Sequence, residues 1–118
     1  MKKYLLFICL FFLFNSCSSS QIKDTQLRRK AASIQILKLE EVKTRKYSIV
    51  KEVKGHSCGR QIGSDPSIDA ARNKLRINAA KLDADAIISV ICEETGVSWV
   101  HNCWKTIECR GDAIKFTN

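Results

Sequence analysis

Four cysteines, Cys58, Cys92, Cys103 and Cys109, fall between residues 58 and 109 of this 118-residue chain. An even number of cysteines in a short exported domain usually forms a disulfide framework, whereas cysteines in a reducing compartment more often bind metal or act as thiols. The structures open to this segment therefore depend on the compartment that the chain reaches.

The first sixteen residues, MKKYLLFICLFFLFNS, contain two lysines near the start, then an apolar run, and end in the polar residues Asn15 and Ser16. This order is typical of a secretory signal peptide, and the apolar run is short for a spanning helix. The segment LFNSC resembles the lipobox of bacterial lipoproteins, in which Cys17 is lipidated and becomes the first mature residue. By the same resemblance, Ser18 indicates the outer membrane. We predict a signal peptide over residues 1–16, a lipid anchor on Cys17, and an oxidising compartment.

The mature chain is long enough for one domain, which a tether precedes. Residues 17–32 are polar and basic with little apolar content, so we predict a lipid-anchored basic linker that is flexible or weakly ordered. The folded domain is predicted over residues 33–118. We expect strands in SIQILKLEEV, YSIVKEVKG, AIISVIC and WKTIECRGDAIKF, the last two as an antiparallel hairpin with a long loop.

The clearest element is a helix over residues 66–82. Asp65 is a suitable N-cap, and Pro66 suits the first helical position. Apolar residues at steps of three and four predict a buried stripe that packs on a sheet. The stripe consists of Ile68, Ala71, Leu75, Ala79 and Leu82. In the last strand, the apolar residues occupy odd positions from Ile107 to Ala113 and even positions from Ile114 onward. This change of strand face predicts a bulge near Gly111.

The positive charge is concentrated before the main helix. Residues 23–54 hold ten Lys or Arg against four Asp or Glu, whereas residues 58–118 hold eight of each. Export argues against nucleic acid as the partner of this basic segment, and anionic headgroups or lipopolysaccharide phosphates next to the anchor are the expected alternative. The candidate contacts are Arg28, Arg29, Lys30, Lys43, Arg45 and Lys46.

The chain contains two His-x-Cys triplets, His56 to Cys58 and His101 to Cys103. Two histidines and two cysteines are a common ligand set for tetrahedral zinc. The two-residue spacing is tighter than ligand pairs usually have, and Cys92 and Cys109 would remain unexplained. A redox pair is disfavoured as well, because no Cys-x-x-Cys precedes a helix. We therefore predict no metal site and interpret both histidines as partly exposed loop residues.

Structural disulfides are the remaining interpretation, and four cysteines allow three pairings. If residues 103–109 are extended, Cys103 and Cys109 are about 20 Å apart and cannot bond. Two arrangements stay open on spacing alone. Cys58 pairs with Cys103 and Cys92 with Cys109, or Cys58 pairs with Cys109 and Cys92 with Cys103.

The stretch SCGRQIGSDPSIDAARNKLRINAAKLDADAIISVICEE, followed by CWKTIECRGDAIKF, resembles the RcsF family of outer-membrane lipoproteins of the Rcs envelope-stress phosphorelay. The resemblance covers about residues 52 to 118, and the four cysteines occur in the same order. It implies the bridges Cys58 with Cys103 and Cys92 with Cys109. It also implies an α/β domain of the α+β type, with a small, mainly antiparallel sheet and one main helix on one face.

The function that the resemblance implies is sensing of lipopolysaccharide or outer-membrane assembly defects, with signalling to the inner-membrane regulator IgaA. Barrel-assembly protein BamA and porin-type barrels are further implied partners, and the domain would face the periplasm. No catalytic set, cofactor motif or phosphate loop stands out, so we predict a protein that is not an enzyme and needs no cofactor. The alternatives are a periplasmic inhibitor, for example of lysozyme, and a structural envelope lipoprotein.

Overall fold

The computed structural model describes residues 19–60 and 64–118, with side chains from residue 23 onward. The predicted signal peptide and Cys17 lie outside these residues. Seven elements follow one another along the described chain. They are α1 (Ser19–Ser33), β1 (Gln35–Leu37), α2 (Leu39–Val42), β2 (Tyr47–Gly59), α3 (Ile68–Lys81), β3 (Ala86–Glu94) and β4 (Lys105–Phe116).

The four strands form one sheet in the order β1-β3-β4-β2. β3 and β4 make the predicted antiparallel hairpin, β2 pairs antiparallel to the other edge of β4, and only the short β1 runs parallel to β3. Helix α3 packs mainly on β2 and β4. The predicted class, a mainly antiparallel sheet with one main helix on a face, is confirmed.

Helix α3 begins two residues later than the sequence predicts. Ser67 is the N-cap, with extended backbone and an Oγ that accepts a hydrogen bond of 3.0 Å from the Ala70 amide. The choice of Asp65 as the cap was wrong, because its carboxylate accepts instead from Lys105 Nζ at 3.1 Å. Ile68 is also misassigned to the buried stripe, since 46% of it is exposed at the start of the helix.

The rest of the stripe forms the main core, in which Ala71, Leu75 and Ala79 are fully buried. The helix lies directly on the backbone of β2 at Gly55. A Cβ at that position would lie 2.3 Å from the Leu75 nitrogen and 2.4 Å from the Ala71 oxygen. The absence of a side chain at Gly55 therefore sets the distance between helix and sheet.

A second, smaller core lies on another part of the sheet. It shows that the prediction of a bulge in β4 was wrong. Val42 of α2 packs there with Ala86, Ile88 and Ile114. Ile114 is therefore buried without any bulge in β4, since both faces of the sheet are covered at this end. The irregularities belong to the partner strands, between Ile49 and Lys51 in β2 and between Ile88 and Ile91 in β3. The one in β3 lies opposite Gly111, so the predicted position is right and the predicted strand is wrong.

The segment predicted to be weakly ordered is helical. Ser19–Ser33 forms α1, whose Ala31 is buried and whose Leu27 packs on the main core. Lys30 pairs with Asp83, just after α3. These contacts with distant residues order a segment whose own sequence has little apolar content. The predicted strand in SIQILKLEEV is correspondingly short, because the chain turns into α2 at Leu39.

Candidate functional site

One disulfide fastens the sheet to the loop of residues 95–104, and a second joins two neighbouring strands of the sheet. Cys58, near the end of β2, bonds to Cys103 with the Cα atoms 5.4 Å apart. Cys92 of β3 bonds to Cys109 of β4 with the Cα atoms 4.0 Å apart, and these two residues are direct partners in the strand register. Of the two arrangements that spacing leaves open, this is the one implied by the family resemblance.

The loop of residues 95–104, between β3 and β4, is held at several points. Ser98 and Cys103 exchange two backbone hydrogen bonds of 2.9 Å, and the Trp104 amide donates to the Gly59 carbonyl at 2.9 Å. Together with the bond from Cys103 to Cys58, these contacts fix the base of the loop to the end of β2. The tip, residues 99–102, projects from this base.

The tip presents a surface of exposed apolar side chains. Trp99 is 89% exposed and Val100 is 90% exposed, and Val97 and Trp104 beside them are also exposed. We call these four residues the aromatic loop surface. Large exposed apolar side chains on a well-fixed loop are typical of binding surfaces, where Trp is among the most frequent anchors. Sequence reasoning treated this segment only as a connection, although two Trp near turn residues were a usable signal.

The two His-x-Cys triplets meet at the base of this loop. The His56 and His101 rings stack with centroids 3.9 Å apart and planes 22° apart. Burial of His56, followed by the nearby charges of His101 and Lys74, lowers the pKa of His56 below 6.5, while Glu108 acts in the opposite direction. The assignment of His56 to a loop was wrong, because it lies within β2 and pairs with Glu108 of β4.

The same arrangement accounts for the two triplets by a disulfide. The Cys58 and Cys103 sulfurs bond to each other, so neither is a thiolate ligand. Within residues 19–60 and 64–118, no group of three or more His, Cys, Asp or Glu is placed to hold a metal ion. The repeated pattern in the sequence reflects one disulfide with a histidine two residues before each of its cysteines.

The predicted basic contacts belong to two segments, α1 and the turn before β2. Arg28 pairs with Asp24 at 2.9 Å, and Lys30 pairs with Asp83. In the turn, the Arg45 guanidinium lies 3.4 Å above the centre of the Phe116 ring. The remaining candidates, Arg29, Lys43 and Lys46, are exposed.

The two basic segments approach one another where β4 ends. Asp83 pairs with Lys115 of β4 as well as with Lys30, and the Thr117 amide donates to the Lys46 carbonyl at 2.9 Å. The aromatic loop surface lies where β4 begins. Since β4 has twelve residues, the two ends are separated by on the order of 35 Å at about 3.3 Å per residue.

The comparison with known protein families identifies the family of this chain. The family model described as RcsF lipoprotein matches residues 15–117. The chain belongs to the RcsF lipoprotein family. The outer membrane lipoprotein RcsF of Escherichia coli K12 is 35% identical over 79 residues, and the same protein of Escherichia coli O6:H1 strain CFT073 gives the same values. The matched part is 66% of this chain and 58% of each relative.

A solved structure supports the fold alone. A protein of unknown function from Pediococcus pentosaceus, of the DUF74 family, superposes with a TM-score of 0.55 at 20% identity. The superposition covers 73% of this chain and 99% of that one. Among the described residues of this RcsF family member, no helix is long and apolar enough to cross a membrane.

Proposed function

We propose that this RcsF family member is an outer-membrane lipoprotein that senses envelope damage and signals to an inner-membrane regulator of a phosphorelay. It is anchored by lipid on Cys17. Residues 17–32 connect the anchor to the domain of residues 33–118, on which α1 packs, and the domain faces the periplasm. The observation that carries the proposal is the separation of two surfaces. Basic residues gather where β4 ends, and the aromatic loop surface lies at the opposite end of the sheet.

The basic end suits the membrane side of the molecule. Lys and Arg near an anionic membrane each contribute about 1 kcal/mol to binding, and lipopolysaccharide phosphates offer the same kind of charge. Contact by Arg28, Arg29, Lys30, Lys43, Arg45 and Lys46 would report on the state of the outer membrane. With that end on the membrane, the opposite end points into the periplasm.

The aromatic loop surface suits the signalling contact. Because the Cys58–Cys103 bridge and the backbone hydrogen bonds hold the loop, little conformational freedom is lost when a partner binds. The family supplies the candidate partners, namely IgaA for signalling and BamA or porin-type barrels in the outer membrane. The role is one of binding and regulation rather than catalysis.

The signalling half is tested with a reporter gene controlled by the phosphorelay in the source organism. Deletion of the gene should abolish induction by lipopolysaccharide damage, and the wild-type chain should restore it. The double variant Trp99→Ser, Val100→Ser should be folded and membrane-bound yet fail to restore induction. Full induction in the deletion strain contradicts the sensing role, and full rescue by the double variant contradicts the role of the loop.

The membrane half is tested by binding to lipopolysaccharide-containing vesicles at increasing salt. Replacing Lys43, Arg45 and Lys46 with Gln should weaken binding, with the largest difference at low salt because salt screens these charges. The matched control replaces Arg60, Lys74 and Lys105 with Gln, which removes equal charge outside the basic end. Equal weakening by both triple variants would show a net-charge effect and contradict a basic contact surface.

A further inference from the structure

An open groove runs beside β1, next to helices α1 and α3. Helix α3 packs mainly on β2 and β4, and α1 contacts α3, so the region near the three-residue strand β1 is only partly covered. Two adjoining cavities of about 700 and 550 Å³ lie there. Both are lined by Ile36, Leu37 and Arg76, so they adjoin one another, and we refer to them together as the groove. Their volumes are in the range of small-molecule sites.

The lining combines an apolar surface with a single sign of charge. Its apolar residues include Ile34, Ile36, Leu37, Ile77 and Val90. Its charged residues are Arg28, Lys38, Arg72 and Arg76, and the residues described as lining the groove include no Asp or Glu. The groove therefore matches a ligand that has both an apolar part and a negative charge.

Two of these arginines are available to an anion. Arg28 already pairs with Asp24, and Arg76 Nη1 donates to the neutral Asn73 Oδ1 at 2.9 Å. Within residues 19–60 and 64–118, neither Arg72 nor Arg76 has a carboxylate within ion-pair distance. They lie four residues apart on α3, where two like charges repel each other. A bound anion between them would remove this repulsion.

We propose that the groove binds a single-chain phospholipid with an anionic headgroup. The acyl chain lies along Ile36 and its apolar neighbours, and the phosphate lies between Arg72 and Arg76. Guanidinium is suited to this headgroup because its N–H groups bind phosphate oxygens in pairs. This site lies outside the aromatic loop surface and shares only Arg28 with the candidate membrane contacts, and it does not depend on the signalling role.

Native mass spectrometry of the full lipoprotein, released from dodecyl maltoside micelles, tests the proposal. The added probes are lysophosphatidylglycerol, lysophosphatidylcholine with the same acyl chain, and inorganic phosphate alone. One molecule of lysophosphatidylglycerol should remain bound, with much less lysophosphatidylcholine and no phosphate. Equal retention of both lipids would show that the chain binds by its apolar part only, and retention of phosphate alone would show a simple anion site. Either result overturns the proposal, as does the absence of any bound lipid.

The variant Arg72→Gln, Arg76→Gln should reduce the retained lysophosphatidylglycerol at least about tenfold, because it removes charge-assisted hydrogen bonds to the phosphate. The control Arg60→Gln, Arg110→Gln makes the same change of charge at exposed positions outside the groove. Thermal melting of each variant verifies that it is folded, as expected for an exposed Arg72 and a partly exposed Arg76. An equal amount of bound lipid in the two double variants would also overturn the proposal.

Discussion

The imidazole rings of His56 and His101 stack 3.9 Å apart, although 45 residues separate them in the chain. Each histidine lies two residues before a cysteine of the Cys58–Cys103 bond, and this bond brings the two rings together. Lys74 of α3 and Glu108 of β4 are the other charged groups that act on His56, and Lys54 of β2 lies 3.8 Å from the same Glu108 carboxylate. The stack joins β2 to the 95–104 loop when the rings are neutral.

Acidification should therefore destabilise the fold through His56. Its pKa in the folded chain is lowered from 6.5, first by burial and then by the charges of His101 and Lys74. The unfolded chain binds the proton more readily, so this contribution to stability is complete above pH 6.5 and is lost as the pH falls towards the lowered folded value. Thermal melting between pH 7.5 and 5.5 should show a falling Tm.

The variant His56→Gln isolates this contribution, since glutamine does not titrate. Its Tm should depend less on pH than that of the wild type over the same interval, because the carboxylates titrate mostly at lower pH. Identical pH profiles for the two proteins would contradict the role of His56.

The two disulfides should differ in what their removal does to the loop. In the chain-entropy model, a bridge that closes 45 residues stabilises by about 4 kcal/mol, and one that closes 17 residues by about 3 kcal/mol. Cys58→Ala with Cys103→Ala should also release the base of the loop. Hydrogen exchange of the Trp104 amide, which donates to Gly59, should then become fast while the sheet stays protected.

The matched control is Cys92→Ala with Cys109→Ala. This pair lies between adjacent strands, so urea unfolding should show a loss of stability while the Trp104 amide keeps its protection in the folded state. If both double variants released the amide equally, the loop would depend on global stability and not on its own bridge.

Local sequence patterns predicted those parts of the fold that neighbouring residues determine. The apolar stripe through Ala71, Leu75 and Ala79 identified α3, because residues three and four apart share a helix face. The apolar run before Cys92 and the alternation around Cys109 identified β3 and β4. Each of these signals lies within the element it predicts.

The features that the sequence did not predict depend on contacts between distant residues. Helix α1 packs through Ala31 on α3, and Ile114 is buried because α2 covers the second face of the sheet. The histidine stack joins residues next to the Cys58–Cys103 bond, and spacing alone left that pairing open. The sequence pattern within a single helix or strand does not indicate which distant residues it contacts.

The start of α3 offers a direct comparison between the two candidate caps. Ser67→Ala removes the hydroxyl that accepts from the Ala70 amide and should lower the free energy of unfolding by about 1 kcal/mol. Asp65→Ala removes only an exposed contact with Lys105 and should have the smaller effect in urea unfolding. A larger loss for Asp65→Ala would favour the cap that the sequence alone suggested.

Gly55, which packs under the main helix, should tolerate substitution poorly. In Gly55→Ala the new Cβ would meet backbone atoms of Leu75 and Ala71 within 2.4 Å, so α3 has to move away from β2. Overpacking of this kind should cost about 3 kcal/mol in urea unfolding. Gly96→Asn is the control, because its positive φ of 70° is one that asparagine tolerates and no atom lies within 4 Å of the added Cβ. Comparable losses in the two variants would contradict the close contact between α3 and the β2 backbone.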